Sequence, residues 1–388
     1  MQTLTALIHK MPLQFVVFLL AAAGFSTVYI TQPVLPILMQ EFDADPALVS
    51  LTVSAVVLGI AISILPIGIL ADRLPVHRIL LIGGIAVVIC SLIAAATSDL
   101  RTLIAVRFVQ GLFIPTLTTC LAAYLARSLP IERLNVVMGS YVSATVAGGL
   151  GGRLLGGWLH PPAHWRYAFV TAALLVLIAT LIAVVRLREP APPAHHHSGG
   201  ISLWAMARRT DLLRLFLVAF ASFFVFSSIF NFLPFYLSEP PLSLPVQWIT
   251  ALYLSYVLGI LVGPIAGRVS SRWGNGVTMM GGAVLIAAGL LISIIPSLWA
   301  VGIALAAVCT GYFGVHASAV SAVNQSLDSG RGRANALYVL FYYLGGWGGI
   351  TASGLAFESQ GWPGVVVLCL VVLLIPMYCG LAHHRSKS

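Results

Sequence analysis

Charge is what this chain lacks. Only 8% of its 388 residues are Asp, Glu, Lys or Arg, where soluble domains carry roughly a quarter. Acids are the scarcer sign, 11 in all, and none falls inside any of the long apolar runs. No water-soluble fold could wet its surface with so few charges. A soluble enzyme and a nucleic-acid binder are therefore both excluded, and the formal net charge of +9 needs another explanation. Five cysteines (Cys90, Cys120, Cys309, Cys369, Cys379) lie in or beside apolar runs with no close ligand pair. They read as small buried side chains, giving neither a disulfide framework nor a metal site. The chain has no Gly-x-x-x-x-Gly-Lys-Ser/Thr loop, which removes ATP as an energy source.

What fills the chain instead is apolar sequence, at 59%. Apolar runs free of acids fall at 14–36, 48–71, 79–98, 102–126, 135–158, 167–187, 212–237, 247–267, 276–296, 298–323, 334–357 and 362–382. Each is close to the ~20 residues that a helix needs to cross the hydrocarbon. They lack the alternation of a membrane barrel, so about twelve transmembrane helices are expected. The first run follows Lys10 and has no small-residue cleavage site, so it is expected to stay as a signal anchor.

The basic residues then sort by side. Sixteen of them occupy breaks on one face, and only Arg101 and Arg166 occupy the other. This is the positive-inside pattern, and it puts both termini in the cytoplasm. Basicity here reports topology. The longest inside break, 188–211, holds several prolines, His195, His196 and His197, and paired glycines. It is expected to be a flexible linker between a first six-helix bundle, 1–187, and a second, 212–388. Matches between the two support duplication: Leu35-Pro36 with Leu233-Pro234, and Arg133-Leu-Asn135 with Arg333-Ala-Asn335. Two parallel repeats with the substrate near the midplane are a known transporter plan.

Within the spans, a few polar residues stand out. Arg107 and Arg153 each lie ~8 Å below an outer helix end. A buried arginine is costly and needs a partner. Helix carbonyls, Gln110, Gln32, water and an anionic solute are all candidates, and so is snorkelling to the outer surface. His316 is the single histidine of ten inside a span. It titrates near neutral pH and could carry a proton where no carboxylate is available; a packing histidine is the competing reading. Tyr29, Gln32, Asn231, Tyr253, Tyr256, Tyr338 and Tyr342 could supply polar and aromatic walls to a pocket. Gln32 and Asn231 precede Pro33 and Pro234, where a helix can bend. Gly148, Gly152, Gly156 and Gly157 give span 5 a face without side-chain bulk, suited to close helix packing. Most tryptophans, Trp165 and Trp362 among them, fall near span ends as an aromatic belt would.

The loop Gly68-Ile-Leu-Ala-Asp72-Arg73-Leu-Pro-Val-His77-Arg78 resembles the signature loop of the major facilitator superfamily, although Pro75 stands where a glycine is usual. Arg107-Phe-Val-Gln110-Gly111 resembles that superfamily's second motif. The glycines of span 5 resemble the antiporter motif of its drug:proton antiporter branch, with Arg153 in the place of a proline. Together with His316 and Tyr338…Tyr342-Tyr343-Leu-Gly, these features are similar to YnfM-like bacterial efflux permeases. The resemblance implies an all-α fold of two pseudo-symmetric six-helix bundles in the bacterial inner membrane. It implies alternating-access efflux of small organic molecules against inward proton flow, by a monomer without cofactor or metal. Its partners would be the solute, protons and membrane lipid. An importer or an uncoupled facilitator is the alternative within the class. An intramembrane enzyme or a sensor is disfavoured, because only His316 and scattered Ser and Thr are available for chemistry and no long output domain is present. The two arginines, with no buried acid, favour neutral or anionic solutes. The resemblance also implies a cytoplasmic latch of Gly68, Asp72, Arg73 and Arg78. In it the Asp72 carboxylate would meet the N-terminus of span 11, an arrangement favoured by up to ~2 kcal/mol.

Overall fold

The computed structural model describes residues 10–71, 73–160, 163–187, 203–327 and 329–385, and among them the chain is helical without strands. In order the helices are α1 (Leu13–Ser26), α2 (Leu35–Glu41), α3 (Pro46–Ala71), α4 (Val76–Ala96), α5 (Leu100–Ser128), α6 (Ile131–Trp158), α7 (Arg166–Arg186), α8 (Leu203–Arg208) and α9 (Thr210–Ser238). They continue with α10 (Val246–Leu252), α11 (Val257–Trp273), α12 (Asn275–Ile292), α13 (Leu298–Gln325), α14 (Arg331–Val372) and α15 (Leu374–Arg385). Short 3₁₀ segments occupy Gln32–Val34 and Tyr253–Tyr256.

Among the described residues, nine helical stretches are long and apolar enough to cross a membrane. One of these, Arg331–Arg385, contains two crossings. Gly361 breaks it with a positive φ of 62°, a conformation that glycine adopts without a Cβ clash. The first crossing is interrupted after Ser26 and resumes at Gln32. α6 is long enough to cross, but its glycines and Arg153 dilute its apolar character. Counting these, the twelve expected crossings are accounted for, and the fold is the all-α polytopic architecture. Side chains such as Ile82, Leu174 and Val367 stand exposed on helix surfaces, as lipid-facing positions do. Of the expected linker, 188–202 and its three histidines lie outside the described residues. Its remaining part is helical, with α8 and the start of α9.

The chain forms two compact units: residues 1–34 with 55–197, and 35–54 with 198–388. α3 thus contributes its first residues to one unit and the rest to the other. In the first unit α6 lies on α1, and α4 packs on both α5 and α7. In the second unit α14 lies on α9, and α12 packs on both α13 and α15.

The α1–α6 contact follows from glycine spacing. A Cβ on Gly148, Gly152 or Gly156 would overlap the main-chain carbonyl of Ala22, Ser26 or Ile30 respectively. Steps of four residues on both helices put the first two pairs along matching ridges, and Gly156 carries the contact on to Ile30 in the break beyond α1. Gly157 is buried as well. The second unit repeats the device, with Gly345 and Gly349 against the carbonyls of Phe220 and Phe224.

Two expectations about tryptophan are corrected. Trp165 and Trp362 are 1% and 3% exposed and pack inside helices instead of joining a belt. Trp165 stands edge-on to Phe169, and Trp362 donates Nε1–H to Ser293 Oγ at 3.1 Å. Trp158, Trp204, Trp248, Trp273 and Trp299 are exposed, as belt residues are. The five cysteines are buried, and none is in a disulfide.

Candidate functional site

In the first unit the polar side chains gather at the interruption of α1. Thr27 and Val28 end the helix with carbonyls that have no next turn to bond, the ordinary condition of a helix C-terminus. Arg107, from the second turn of α5, supplies the donors. Its Nη1 donates to Thr27 O at 2.6 Å and its Nη2 to Val28 O at 2.5 Å. Nη1 also donates to Gln110 Oε1, and Gln110 Nε2 donates to Ser91 Oγ at 2.8 Å. The guanidinium lies 5.5 Å from the Phe169 ring centroid. Arg107 and Gln110 are both fully buried, so Arg107 does not snorkel.

Arg153 stands on the other side of the break. Its Nε donates to Gln32 Oε1 at 2.7 Å and its Nη1 to Gly149 O at 2.7 Å. Its guanidinium carbon lies 4.0 Å from the Tyr29 ring centroid, within cation–π range. At 3% exposure it does not snorkel either. Gln32 Nε2 is buried with no hydrogen-bond partner in the structure, an arrangement that costs about 1–3 kcal/mol unless a partner arrives.

In the second unit an aromatic cluster surrounds His316. Tyr312 and His316 are four residues apart on α13, and Tyr338 and Tyr342 are four apart on α14, so each pair shares a helix face. Tyr338 Oη and His316 Nδ1 are 3.0 Å apart. Tyr312 donates its hydroxyl to Tyr342 Oη at 2.8 Å. Phe223 and Phe226 of α9 complete the packing. Phe223 stacks on Tyr342 with centroids 3.7 Å apart, and Phe226 on Tyr312 at 3.8 Å. Tyr256 stands edge-on to Phe226 and Phe230. Asn231 Nδ2 donates to Ser50 Oγ at 2.8 Å, and its Oδ1 is buried without a hydrogen-bond partner.

The structure therefore brings Tyr29, Gln32 and Arg153 together, pairs Arg107 with Gln110, and joins His316 to Tyr338 and Tyr342. Tyr256 joins this cluster through Phe226, whereas Asn231, buried in the same unit, makes a separate contact with Ser50. Of the latch residues, Asp72 lies outside the described residues. A Cβ at Gly68 would stand 3.9 Å from Thr119 Cγ2, and Arg73 and Arg78 are exposed. Tyr312, Phe223 and Phe226 were not singled out in the sequence, although the four-residue step from Tyr312 to His316 was there to be read.

An array of apolar crossings whose polar side chains are withdrawn to a helix break and an aromatic cluster has the make-up of a membrane solute transporter. Residues 15–346 match the Major Facilitator Superfamily, and the chain belongs to that superfamily. It is similar to the uncharacterized MFS-type transporter YybF of Bacillus subtilis strain 168, at 28% identity over 96% of this chain and 94% of that protein. The inner membrane transport protein YnfM of Escherichia coli K12 is 27% identical over 94% of this chain and 88% of its own length. Among solved structures, a bacterial homologue of the human lysosomal transporter Spinster superposes with a TM-score of 0.77. That match covers 96% of both chains at 16% identity, a likeness of fold. The chain is thus a multi-pass membrane protein of a family of secondary transporters.

Proposed function

We propose that this chain is a proton-coupled secondary transporter that exports small organic solutes by alternating access. The observation that carries the coupling is the 3.0 Å pairing of His316 Nδ1 with Tyr338 Oη inside a chain whose apolar runs contain no acid. Among ordinary side chains, imidazole changes charge near neutral pH. A tyrosine hydroxyl beside it can donate to the neutral ring and accept from the protonated one. Solute contacts are assigned to Arg153, Tyr29 and Gln32, because the Gln32 amide presents a buried donor beside a guanidinium. Arg107 and Gln110 hold the α1 break that places those groups. Asn231, Tyr256, Tyr338 and Tyr342 are kept as solute contacts of the second half.

The working division is two six-helix halves, 1–187 and 212–388, with an inner-membrane location and cytoplasmic termini. The cation asymmetry of the loops supports that orientation. Asp72 is assigned as the anionic member of a cytoplasmic latch with Gly68, Arg73 and Arg78, on the strength of the loop motif. The glycine contact of α6 on α1 is assigned as the packing surface that such a motion would use. The protein is taken to act as a monomer.

Purified protein in liposomes with an imposed pH gradient tests this reading. Solute extrusion that follows the gradient supports it. Movement only down the solute's own gradient would make the protein a facilitator, and uptake with protons would make it an importer. Absence of flux for cations, anions and neutral solutes alike would overturn the transport assignment.

A further inference from the structure

From the ring geometry around His316 we infer that the second unit holds a stacking site for a flat, uncharged aromatic solute. This rests on the transport reading, since it names the class of solute carried. The rings form two stacks. Phe223 and Tyr342 are 9° from parallel in one, and Phe226, Tyr312 and His316 succeed one another at 16° and 17° in the other, while His316 and Tyr342, where the stacks meet, are 57° apart. Cages for organic cations set ring faces around a point, where the quadrupoles converge on one charge. The end face of a near-parallel stack instead takes another flat ring, in the offset arrangement that aromatic pairs prefer.

Each stack ends in a partly exposed ring, Tyr342 in one and His316 in the other. Phe223, Phe226 and Tyr312 are each under 5% exposed and Tyr338 is 1% exposed, while His316 and Tyr342 keep intermediate exposure. Those two carry the groups that would orient a ligand, an imidazole held by Tyr338 and a hydroxyl that accepts from Tyr312. No Asp or Glu belongs to the cluster, so a cation would find ring faces without a counter-charge. A neutral solute with one hydrogen-bonding group and a flat ring fits this chemistry.

Matched probes separate ring from bulk. Benzamide and cyclohexanecarboxamide share an amide and a six-membered ring, as do 2-naphthamide and decahydronaphthalene-2-carboxamide. Binding to purified protein in detergent, followed by ligand-induced thermal shift, should favour each aromatic member by about fivefold or more in half-saturating concentration. Tyr342→Leu should erase that preference, and Tyr342→Phe, which keeps the face, should retain it. Equal binding of the pair to the native protein overturns the inference, and so does binding of neither member. Tighter binding of phenyltrimethylammonium than of benzamide overturns it in favour of a cation cage. A preference that survives Tyr342→Leu places the ring site elsewhere and overturns it too. Because these readouts are binding to native protein, they stand apart from flux. Liposomes that move saturated and aromatic amides equally would keep the transport reading and sink this one. An aromatic preference in binding with no flux would do the reverse.

Discussion

Arg107 donates from Nη1 to the Thr27 carbonyl at 2.6 Å, so an arginine of the fourth crossing closes the end of a helix in the first. Its second nitrogen does the same for Val28. Both carbonyls belong to the break in α1, and the whole assembly is fully buried. Removing the guanidinium leaves these acceptors and Gln110 Oε1 without their donors, at about 1–3 kcal/mol each and not strictly additive. Arg107→Ala should therefore lower unfolding stability in detergent by about 3 kcal/mol or more. Arg107→Lys should recover less than half, since an ammonium has no planar fork to span two carbonyls. Unchanged thermal melting in the alanine protein would show that the break holds itself.

The glycine contact gives a paired comparison on one helix. A Cβ at Gly152 would overlap the Ser26 carbonyl, whereas a Cβ at Gly151 meets nothing within 4 Å. Gly152→Ala should push α6 off α1 and cost about 1–3 kcal/mol, as overpacking does. Gly151→Ala should be neutral or stabilise by up to about 1 kcal/mol through helix propensity. Comparable melting of the two proteins would mean that the contact is looser than its geometry.

Why the sequence showed some of this and hid the rest has a physical basis. Arg107, Arg153 and His316 stood out because a charge or an imidazole in an apolar run is expensive, so its presence demands a partner. The glycine ladder stood out by its four-residue step. Tyr312, Phe223 and Phe226 did not, because an aromatic in an apolar helix reads the same whether it faces lipid, core or a cavity. Trp165 and Trp362 misled for that reason, since their position near a span end matched a belt. The prolines were ambiguous in another way. Pro33 and Pro234 both mark places where a helix can bend, yet the chain is interrupted before Pro33 while α9 runs through Pro234. Pro234 has no N–H for the Phe230 carbonyl, and Tyr253, from a distant part of the sequence, donates its hydroxyl to that oxygen at 2.9 Å. A donor brought in by tertiary structure keeps one helix whole, and no local pattern announces it. Residues 35–54 joining the second unit is likewise a matter of packing that span lengths do not encode.

Outside the spans, Asp99 offers a pH test. It caps α5, accepting at Oδ2 from Thr102 N–H at 2.8 Å and from the Thr102 hydroxyl at 2.7 Å. The hydrogen bonds from Thr102 hold its carboxyl below the usual carboxylate range. A depressed folded pKa means that the cap contributes above the unfolded pKa, near 4, and is lost as pH falls through the folded value. Asp99→Ala should melt a degree or two lower than the native protein at pH 7, in line with a helix-cap loss. The gap should close as pH is taken below about 4. A gap that is constant across this range would mean that the carboxylate's charge is not what caps the helix.

The last prediction separates proton coupling from packing at His316. A coupling group must bind a proton from one side and release it to the other, and its two states must be read by something that moves. His316 Nδ1 faces Tyr338 Oη at 3.0 Å, and Tyr312 and Tyr342 lie on its ring flanks at centroid distances of 6.0 and 5.4 Å. Protonation turns the Nδ1 acceptor into a donor, so the Tyr338 hydroxyl must reverse its role, and a rotation of α14 relative to α13 could answer that reversal. His316→Gln keeps a hydrogen-bonding amide of similar reach but cannot take the proton. It should bind solute more weakly, having lost a ring face, yet keep downhill exchange, while the ratio of driven accumulation under an imposed pH difference to downhill flux should fall at least tenfold. Tyr338→Phe keeps the imidazole and removes its partner. Its accumulation should survive at reduced level, with the pH at half-maximal rate displaced from that of the native protein. A merely structural histidine would lower yield and melting in the glutamine protein without changing the ratio of driven to downhill flux. If that ratio is unchanged, the proton travels by another group and His316 serves the aromatic layer alone.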